Sequence, residues 1–503
     1  MFVDCEVDVK THKLVDFGAV DSNKDQVHTS IPDEIRAFCT GARFLCGHNI
    51  VAHDIKYLKP LFADLRAPLI DTLALSVLLF PQKRFHALLK DEKLLTAELN
   101  NPLTDAIKAR DLFEQEVAAF AELPEAVRSI LASLLKHDAH FAGFFEFVDQ
   151  PSVPGNFASL IKVIREAFTG QICANVDLFD LTVNHPVELG FVLAFIAAKN
   201  KAELMPAWTL RTYPGTETVL TALRDTPCKG CAWCDTTFKA TYGLQTIFGF
   251  EAFRTYDGEP LQEKAAQAAL DGKSLLAVFP TGGGKSITFQ IPALMQAKAT
   301  RSLTVVLSPL QSLMKDQVDH LVEAGIEGAY TINGMLSPIE RARAFEAIYD
   351  GSATLLYISP EQLRSKSIEK ALVSRRIARF VIDEAHCFSA WGHDFRVDYL
   401  YIGDFIARLQ ELQGNVRKIP VSCFTATAKQ KVVSDICDYF RKKLGLELDL
   451  FTTRAARQNL HYKVIHTEDN GEKYAYIRSL IAAKKCPTIV YVSSTKLTES
   501  LAA

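Results

Sequence analysis

The sequence predicts an α/β protein in three parts: a strand–helix module, a mostly helical middle with a cysteine cluster, and a parallel-sheet domain around a phosphate cradle. Three observations carry this. The apolar run Leu275–Val278 leads into Phe279-Pro-Thr-Gly-Gly-Gly-Lys-Ser286. Four further apolar, β-branched runs alternate with helical spacing after it, the pattern of strands joined by helical crossovers. Before it, short alternating runs give way to helical periodicity and then to Cys228-x-x-Cys231-x-x-Cys234.

The 503 residues imply three or four domains at about 100–200 residues each. A formal net charge of -3 gives no global field for a polyanion, so any nucleic-acid contact must come from local basic surface. No apolar run reaches the ~20 residues of a membrane span, and the N-terminus lacks a basic segment followed by an apolar core. Membrane association is therefore not expected. Eleven cysteines, scattered singly apart from one cluster, suit a reducing compartment, and the cytoplasm is the expected location. Nothing in the sequence names a protein partner.

In chain order, Phe2–Val7 alternates apolar and acidic residues, and Leu14–Val20 is its natural hairpin partner. A third strand, Phe44–Asn49, precedes a helix over about 54–62; Leu69–Thr72 leads into a helix through Phe80, and Pro102–Phe120 has helical spacing. Asp4 and Glu6 are two apart, so both leave one face of their strand. With Asp54 and Asp105 they form an acidic set that repels itself unless divalent cations neutralise it. Mg²⁺ or Mn²⁺ takes such oxygen ligands, and a pair of ions about 3.5–4 Å apart can clamp a phosphodiester. For each Asp alone, a helix cap is the plainer role.

Residues 116–240 are expected to form a helical connector, with Val127–Leu135, Phe141–Phe147 and Val187–Ala198 as helices. Its three clustered cysteines need a fourth ligand, and Cys173 is the nearest upstream. This spacing suits a 4Fe-4S cluster; Zn²⁺ or unliganded structural cysteines remain alternatives.

From 241 to about 450 the sheet strands are Leu275–Val278, Val305–Leu307, Leu355–Ile358, Phe380–Ile382 and Val421–Thr425. Polar residues at their C-terminal ends gather at one sheet edge, where ligands of such folds bind. In the cradle, Thr281, Gly282, Gly283 and Gly284 let backbone N–H groups close on phosphate, Lys285 reaches the β and γ phosphates, and Ser286 can ligate Mg²⁺. Asp383 and Glu384 supply the other half: the Asp to hold Mg²⁺, the Glu to orient or deprotonate a water.

These residues carry two resemblances. Asp4-x-Glu6, Asp54 after Gly47-His48-Asn49, and Asp105 resemble the metal set of the DnaQ-like (DEDD) 3′–5′ exonucleases, which implies an RNase H-like fold over 1–115. Asn100 stands where one branch of that family has its general-base His; His86 is the nearest histidine.

Residues 245–500 resemble the RecQ family of superfamily 2 helicases, which implies RecA-like domains, ATP and Mg²⁺, and ATP hydrolysis coupled to single-stranded DNA binding and 3′–5′ unwinding, with single-stranded and partially duplex DNA as partners. The matching segments are Arg254 with Gln262 (adenine contact), Phe279–Ser286, Ser308-Pro309-Leu310 with Lys315-Asp316-Gln317, Ser359-Pro360-Glu361, Asp383-Glu384-Ala385-His386 and Phe424–Ala428. The resemblance also covers the aromatic loop Cys387–Tyr399, in which Trp391 and Phe395 would stack on bases and Arg396 contact phosphate. Ala390 and Val397 replace the family's usual Gln and Pro there.

Residues 451–503 would begin a second RecA-like domain, with Arg457–Leu460 at its entry and Ile489–Ser494 as its first strand. The later motifs are absent, including the arginine that completes the ATP site. The chain is thus expected to be an N-terminal portion that binds ATP and turns it over weakly. The alternative is a non-catalytic nucleotide- and DNA-binding regulator that has lost helicase and nuclease turnover.

Overall fold

The computed structural model describes residues 1–8, 13–59, 67–81, 83, 86, 88, 101–198, 207–388, 397–414, 418–426, 429–453, 461, 463–484, 486–494 and 497–499. The chain divides into two units, Met1–Arg454 and Ala455–Ala503.

The first unit holds two sheets. One comprises β1 (Phe2–Val7), β2 (Leu14–Val20), β3 (Gln26–Thr29), β4 (Leu45–Gly47) and β5 (Leu69–Asp71) in the order β3-β2-β1-β4-β5. β1 pairs antiparallel with β2 and parallel with β4, and β5 pairs parallel with β4. Alternation in β1 sends Val3 and Cys5 into the core beside Ile35 and Cys39, while Phe2 joins the opposite core with Phe113. Asp4 and Glu6 share the Phe2 face, which the helix Pro102–Glu122 covers. That helix starts where Asn101 Oδ1 accepts from the N–H groups of Leu103 (3.0 Å) and Thr104 (3.3 Å), with Pro102 in its first turn. Gly18 of β2 permits the contact, because a Cβ there would lie 2.1 Å from Leu103 N. Asp105, one turn in, is thereby carried over β1.

The helical middle packs on this face. Pro186–Ala197 is apolar all round because it lies at the centre, with Leu189 and Phe191 through Ile196 all buried. Val127–Leu135 is helical as expected, within Glu125–Leu135, and of Phe141–Phe147 all but the capping Phe141 is helical, as Ala142–Phe147. Five further described helices, Phe157–Ala167, Leu178–Asn184, Ala207–Thr212, Thr216–Arg224 and Ala232–Thr237, were not foreseen. No single described helix is long and apolar enough to cross a membrane.

The second sheet comprises β6 (Ser274–Val278), β7 (Leu303–Leu307), β8 (Ala329–Ile332), β9 (Leu355–Ile358), β10 (Ile377–Ile382), β11 (Val421–Thr425) and β12 (Leu448–Thr452). Its order is β12-β6-β11-β10-β7-β9-β8 and every pair is parallel, the expected RecA-like architecture. β6, β7, β9 and β11 are buried along their whole length, which is why they stand out as apolar runs. The edge strands β8 and β12 are only partly buried and their mixed residues give no such run. β12 also carries the sheet through Thr452, past the boundary expected at 450.

The second unit contains the helix Asn470–Lys484. The strand expected at Ile489–Ser494 is not formed: the segment has no ladder partner among the described residues, and Ile489 and Tyr491 are exposed. Arg457–Leu460 lies outside the described residues.

Candidate nucleotide site and two metal-capable clusters

Four polypeptide turns meet at the C-terminal edge of the second sheet, after β6, β7, β10 and β11. The chain leaves β6 through Phe279, whose N–H donates to the carbonyl of Thr425 (3.1 Å) and whose ring stacks on Tyr256 at 4.9 Å. Pro280 O then accepts from Gly283 N–H (2.9 Å), closing a tight turn. Gly282 and Gly284 have φ of 73° and 78°, a region that favours glycine, and Gly284 caps the helix Lys285–Thr300.

The loop is gripped from outside by its carbonyls. Arg254 Nη1 donates to Gly282 O (2.6 Å), the Tyr256 hydroxyl to Gly283 O, and Gln262 Nε2 to Gly284 O (2.7 Å). Gln262 is itself fixed, accepting at Oε1 from the Arg254 backbone N–H (2.8 Å). A peptide plane holds N–H opposite C=O, so drawing the carbonyls of Gly283 and Gly284 outward turns the amides of Gly284 and Lys285 the other way. The first helical turn adds N–H groups without intrahelical partners. Anion-directed amides at a helix N-terminus are what a phosphate needs. No side chain fits: a Cβ on Gly284 would meet Gln262 Nε2 at 2.7 Å, and one on Gly283 would meet Pro280 O at 2.7 Å. Thr281 is exposed, and Lys285 and Ser286 are half-buried at the helix start.

Asp383 follows β10, its N–H donating to Leu307 O (2.9 Å) and its carbonyl accepting from Tyr399 Oη (3.0 Å). Burial, with the adjacent Glu384 charge, pushes its carboxyl up to about 6. Glu384 has φ 48°, and His386 Nδ1 lies 3.2 Å from both Glu384 Oε2 and Thr425 Oγ1. The Cys387 and Glu384 side chains beside it push His386 up to about 10, and the same contact with His386 lowers Glu384. At neutral pH Glu384 is thus a carboxylate paired with an imidazolium, which also touches the residue ending β11. One hydrogen-bonded chain links the turns after β10 and β11. Trp391, Phe395 and Arg396 lie outside the described residues, as do Thr427 and Ala428.

Of the acidic set, Asp4, Glu6 and Asp105 come together, their ligand oxygens all within 4.8 Å of one another. Asp54, expected with them, is not in this group. It precedes the short helix Ile55–Leu58 with its side chain turned into the core, 2% exposed, where Oδ1 accepts from Cys5 Sγ at 3.1 Å. Burial raises its carboxyl. Asn100 lies outside the described residues. His86 is half-buried and bonded to Ser76 Oγ (2.9 Å), and burial pushes it down to about 4. No sequence motif points to Glu116, fully buried on the helix Pro102–Glu122, whose carboxyl burial raises well above its usual range.

The second metal-capable cluster is Cys173, Cys228, Cys231 and Cys234, again with all ligand atoms within 4.8 Å. The structure brings the remote Cys173 to the other three. Cys173 Sγ lies 3.5 Å from Cys228 Sγ, and Cys231 caps the helix Ala232–Thr237.

Comparison with known proteins agrees with the second sheet. Residues 259–436 match the family model of the DEAD/DEAH box helicases. The chain is 34% identical over 259 residues to the probable ATP-dependent DNA helicase RecS of Bacillus subtilis, covering 52% of this chain and 48% of that protein. It is 40% identical over 228 residues to the ATP-dependent DNA helicase RecQ of the same organism, covering 45% and 35%. With the ATP-dependent helicase SGS1 of Saccharomyces cerevisiae it shares 36% identity over 239 residues, covering 46% and 15%. The chain therefore spans about half the length, or less, of these relatives. These matches support a helicase core of RecQ type in the part of the chain that carries the cradle.

Proposed function

We propose that this chain is the ATP-binding portion of a 3′–5′ DNA helicase of RecQ type, taking single-stranded and partially duplex DNA, with a DnaQ-like, RNase H-like module over 1–115. The observation that carries the reading is the meeting of the gripped cradle and the Asp383–Glu384–His386 group at one edge of a parallel sheet. Lys285 and the amides of Gly284 and Lys285 receive the phosphates. Ser286 and Asp383 would hold Mg²⁺, which draws charge from the transferring phosphoryl group when bound. Glu384 is ionised and held by His386, so it takes a proton from the attacking water only once that pairing loosens. Trp391, Phe395 and Arg396, a few residues on, supply the contact through which DNA would influence it. Gln262 in this reading fixes the cradle; contact with adenine requires it to release Gly284.

The test is Mg²⁺-dependent nucleotide binding and DNA-stimulated ATP hydrolysis. Lys285→Ala should lose both, and Glu384→Gln should keep binding while losing turnover. Equal turnover in wild type and Glu384→Gln would overturn the reading.

For the N-terminal module, Asp4, Glu6 and Asp105 would bind Mg²⁺ or Mn²⁺ and cut 3′ ends. The position of Asp54, bonded to Cys5, favours a second reading in which the module recognises DNA without cutting it and the chain acts as a regulator. Degradation of 3′-ended DNA with either ion, lost in Asp4→Ala, separates the two. The four cysteines are read as a thiolate-bound metal site, iron–sulfur or zinc.

A further inference from the structure

We infer that the four-cysteine site takes one Zn²⁺ ion in a tetrahedron of thiolates, and that this ion is a structural clamp holding the helical middle to the base of the cradle. The inference rests on reading the site as a metal site and adds which metal and why it is there.

Size decides between the two metal classes. A single zinc binds four thiolates at about 2.3 Å, so neighbouring sulfurs in a tetrahedron stand about 3.8 Å apart. In a 4Fe-4S cluster each thiolate sits radially outside its own iron, and the irons already surround a central cage; the sulfur tetrahedron then has edges of about 6 Å. Here every pair of ligand atoms lies within 4.8 Å, and Cys173 and Cys228 are 3.5 Å apart. The cage is too small for a cluster and close to the size of one ion.

Its surroundings also suit thiolates. The Cys234 backbone N–H points at Cys231 Sγ (3.4 Å), and Asn175 Nδ2 points at Cys228 Sγ (3.3 Å). Such N–H donors neutralise part of the charge that four sulfurs place on one divalent ion. Cys173, Cys231 and Cys234 are buried and Cys228 is partly open, a closed site with no position for substrate. Arg224 lies over the Trp233 ring at 4.3 Å and donates to Gln171 O (3.0 Å), covering one side.

The position explains the purpose. Cys173 N–H donates to Leu223 O (2.9 Å), tying its loop to the end of the helix Thr216–Arg224. Cys231 and Cys234 hold the helix Ala232–Thr237, whose end is pinned to Gln267: Gln267 Nε2 donates to Phe238 O (2.7 Å) and its Oε1 accepts from Ala240 N–H (3.0 Å). Gln267 sits on the helix Leu261–Leu270, which also carries Gln262 under the cradle. Between Cys173 and that helix there is little apolar packing beyond Phe238, Val176 and Trp233, so one ion substitutes for a core.

The test is the metal content of the purified chain, together with cobalt replacement. We expect about one zinc per chain, negligible iron and no acid-labile sulfide, with Co²⁺ giving the intense visible spectrum of a tetrahedral tetrathiolate. Cys228→His should keep about one metal ion, because Cys₃His is a zinc set. Cys231→Ser should lower metal content at least tenfold and expose the Arg224–Trp233 pair, read as a shift in tryptophan emission. Stoichiometric iron and sulfide would refute zinc while leaving a metal site. Metal-free protein whose four thiols all react freely with a thiol reagent would refute the metal site itself.

Discussion

The pH dependence of Mg·nucleotide binding should report Asp383 directly. Its carboxyl is pushed up to about 6 by burial and then by the Glu384 charge, and a metal ligand must be ionised to bind. With a midpoint near 6, the ionised fraction is about 0.1 at pH 5, 0.5 at pH 6 and 0.9 at pH 7, so apparent Mg·nucleotide affinity should rise roughly tenfold from pH 5 to 7. The bound nucleotide's own phosphate titrates near 6 as well, which calls for a control. Asp383→Asn supplies it, because whatever pH dependence survives there belongs to the nucleotide. Glu384→Gln removes the neighbouring charge and should move the midpoint down, so that its affinity at pH 5 exceeds the wild type's. The assay is a fluorescent-nucleotide titration at fixed free Mg²⁺. Unliganded stability should run the other way. The folded pKa lies above the unfolded 3.8, so the folded state binds more protons in between and gains stability as pH falls through about 6. Affinity that is flat from pH 5 to 7 after the Asp383→Asn correction would refute the argument.

Three other substitutions probe contacts that the sequence does not reveal. Gln262→Ala removes the donor to Gly284 O and the acceptor for Arg254 N–H; we expect about 1–3 kcal/mol lower stability in urea without nucleotide, whereas a residue that only reads adenine would leave the unliganded protein unchanged. Arg376 reaches Glu217 (3.1 Å) and Thr221 (3.0 Å) on the helix Thr216–Arg224 and Asp225 (2.6 Å) at its end, and Arg376→Ala removes all three contacts, one of them the ion pair of the mostly buried Asp225, at a cost of about 3 kcal/mol by chemical denaturation. Glu116→Met replaces a fully buried acid by an apolar side chain of similar reach and should raise the denaturation midpoint at pH 7, with a smaller gain as pH falls and the wild-type acid protonates.

How far the sequence was legible follows from the range of each interaction. The strand–cradle–helix unit is local: an apolar run, glycines where φ is positive, then Lys285-Ser286, each readable within a dozen residues. The buried strands β7, β9, β10 and β11 were legible because burial on both faces leaves them mostly apolar. β8 and β12 were not, since an edge strand keeps one side polar. Beyond that range the spacing of a motif predicts proximity of backbone and leaves side-chain direction open. Asp54 arrives near β1 as its motif implies, yet it turns to the Cys5 thiol and leaves the acidic group to Asp4, Glu6 and Asp105. Gln262 likewise reaches the nucleotide site, but with both ends of its amide engaged by backbone.

The cysteine cluster shows the same limit in its sharpest form. Two-residue gaps bring Cys228, Cys231 and Cys234 to one centre, and proximity in sequence can do no more, since the same gaps serve iron–sulfur clusters and zinc. The fourth ligand comes from a loop 55 residues away, fixed by the hydrogen bond from Cys173 N–H to Leu223 O. What separates the two metals is a difference of about 2 Å in sulfur spacing. That difference is set by how closely the Cys173 loop seats against the helix Ala232–Thr237, a packing distance and therefore a property of the fold.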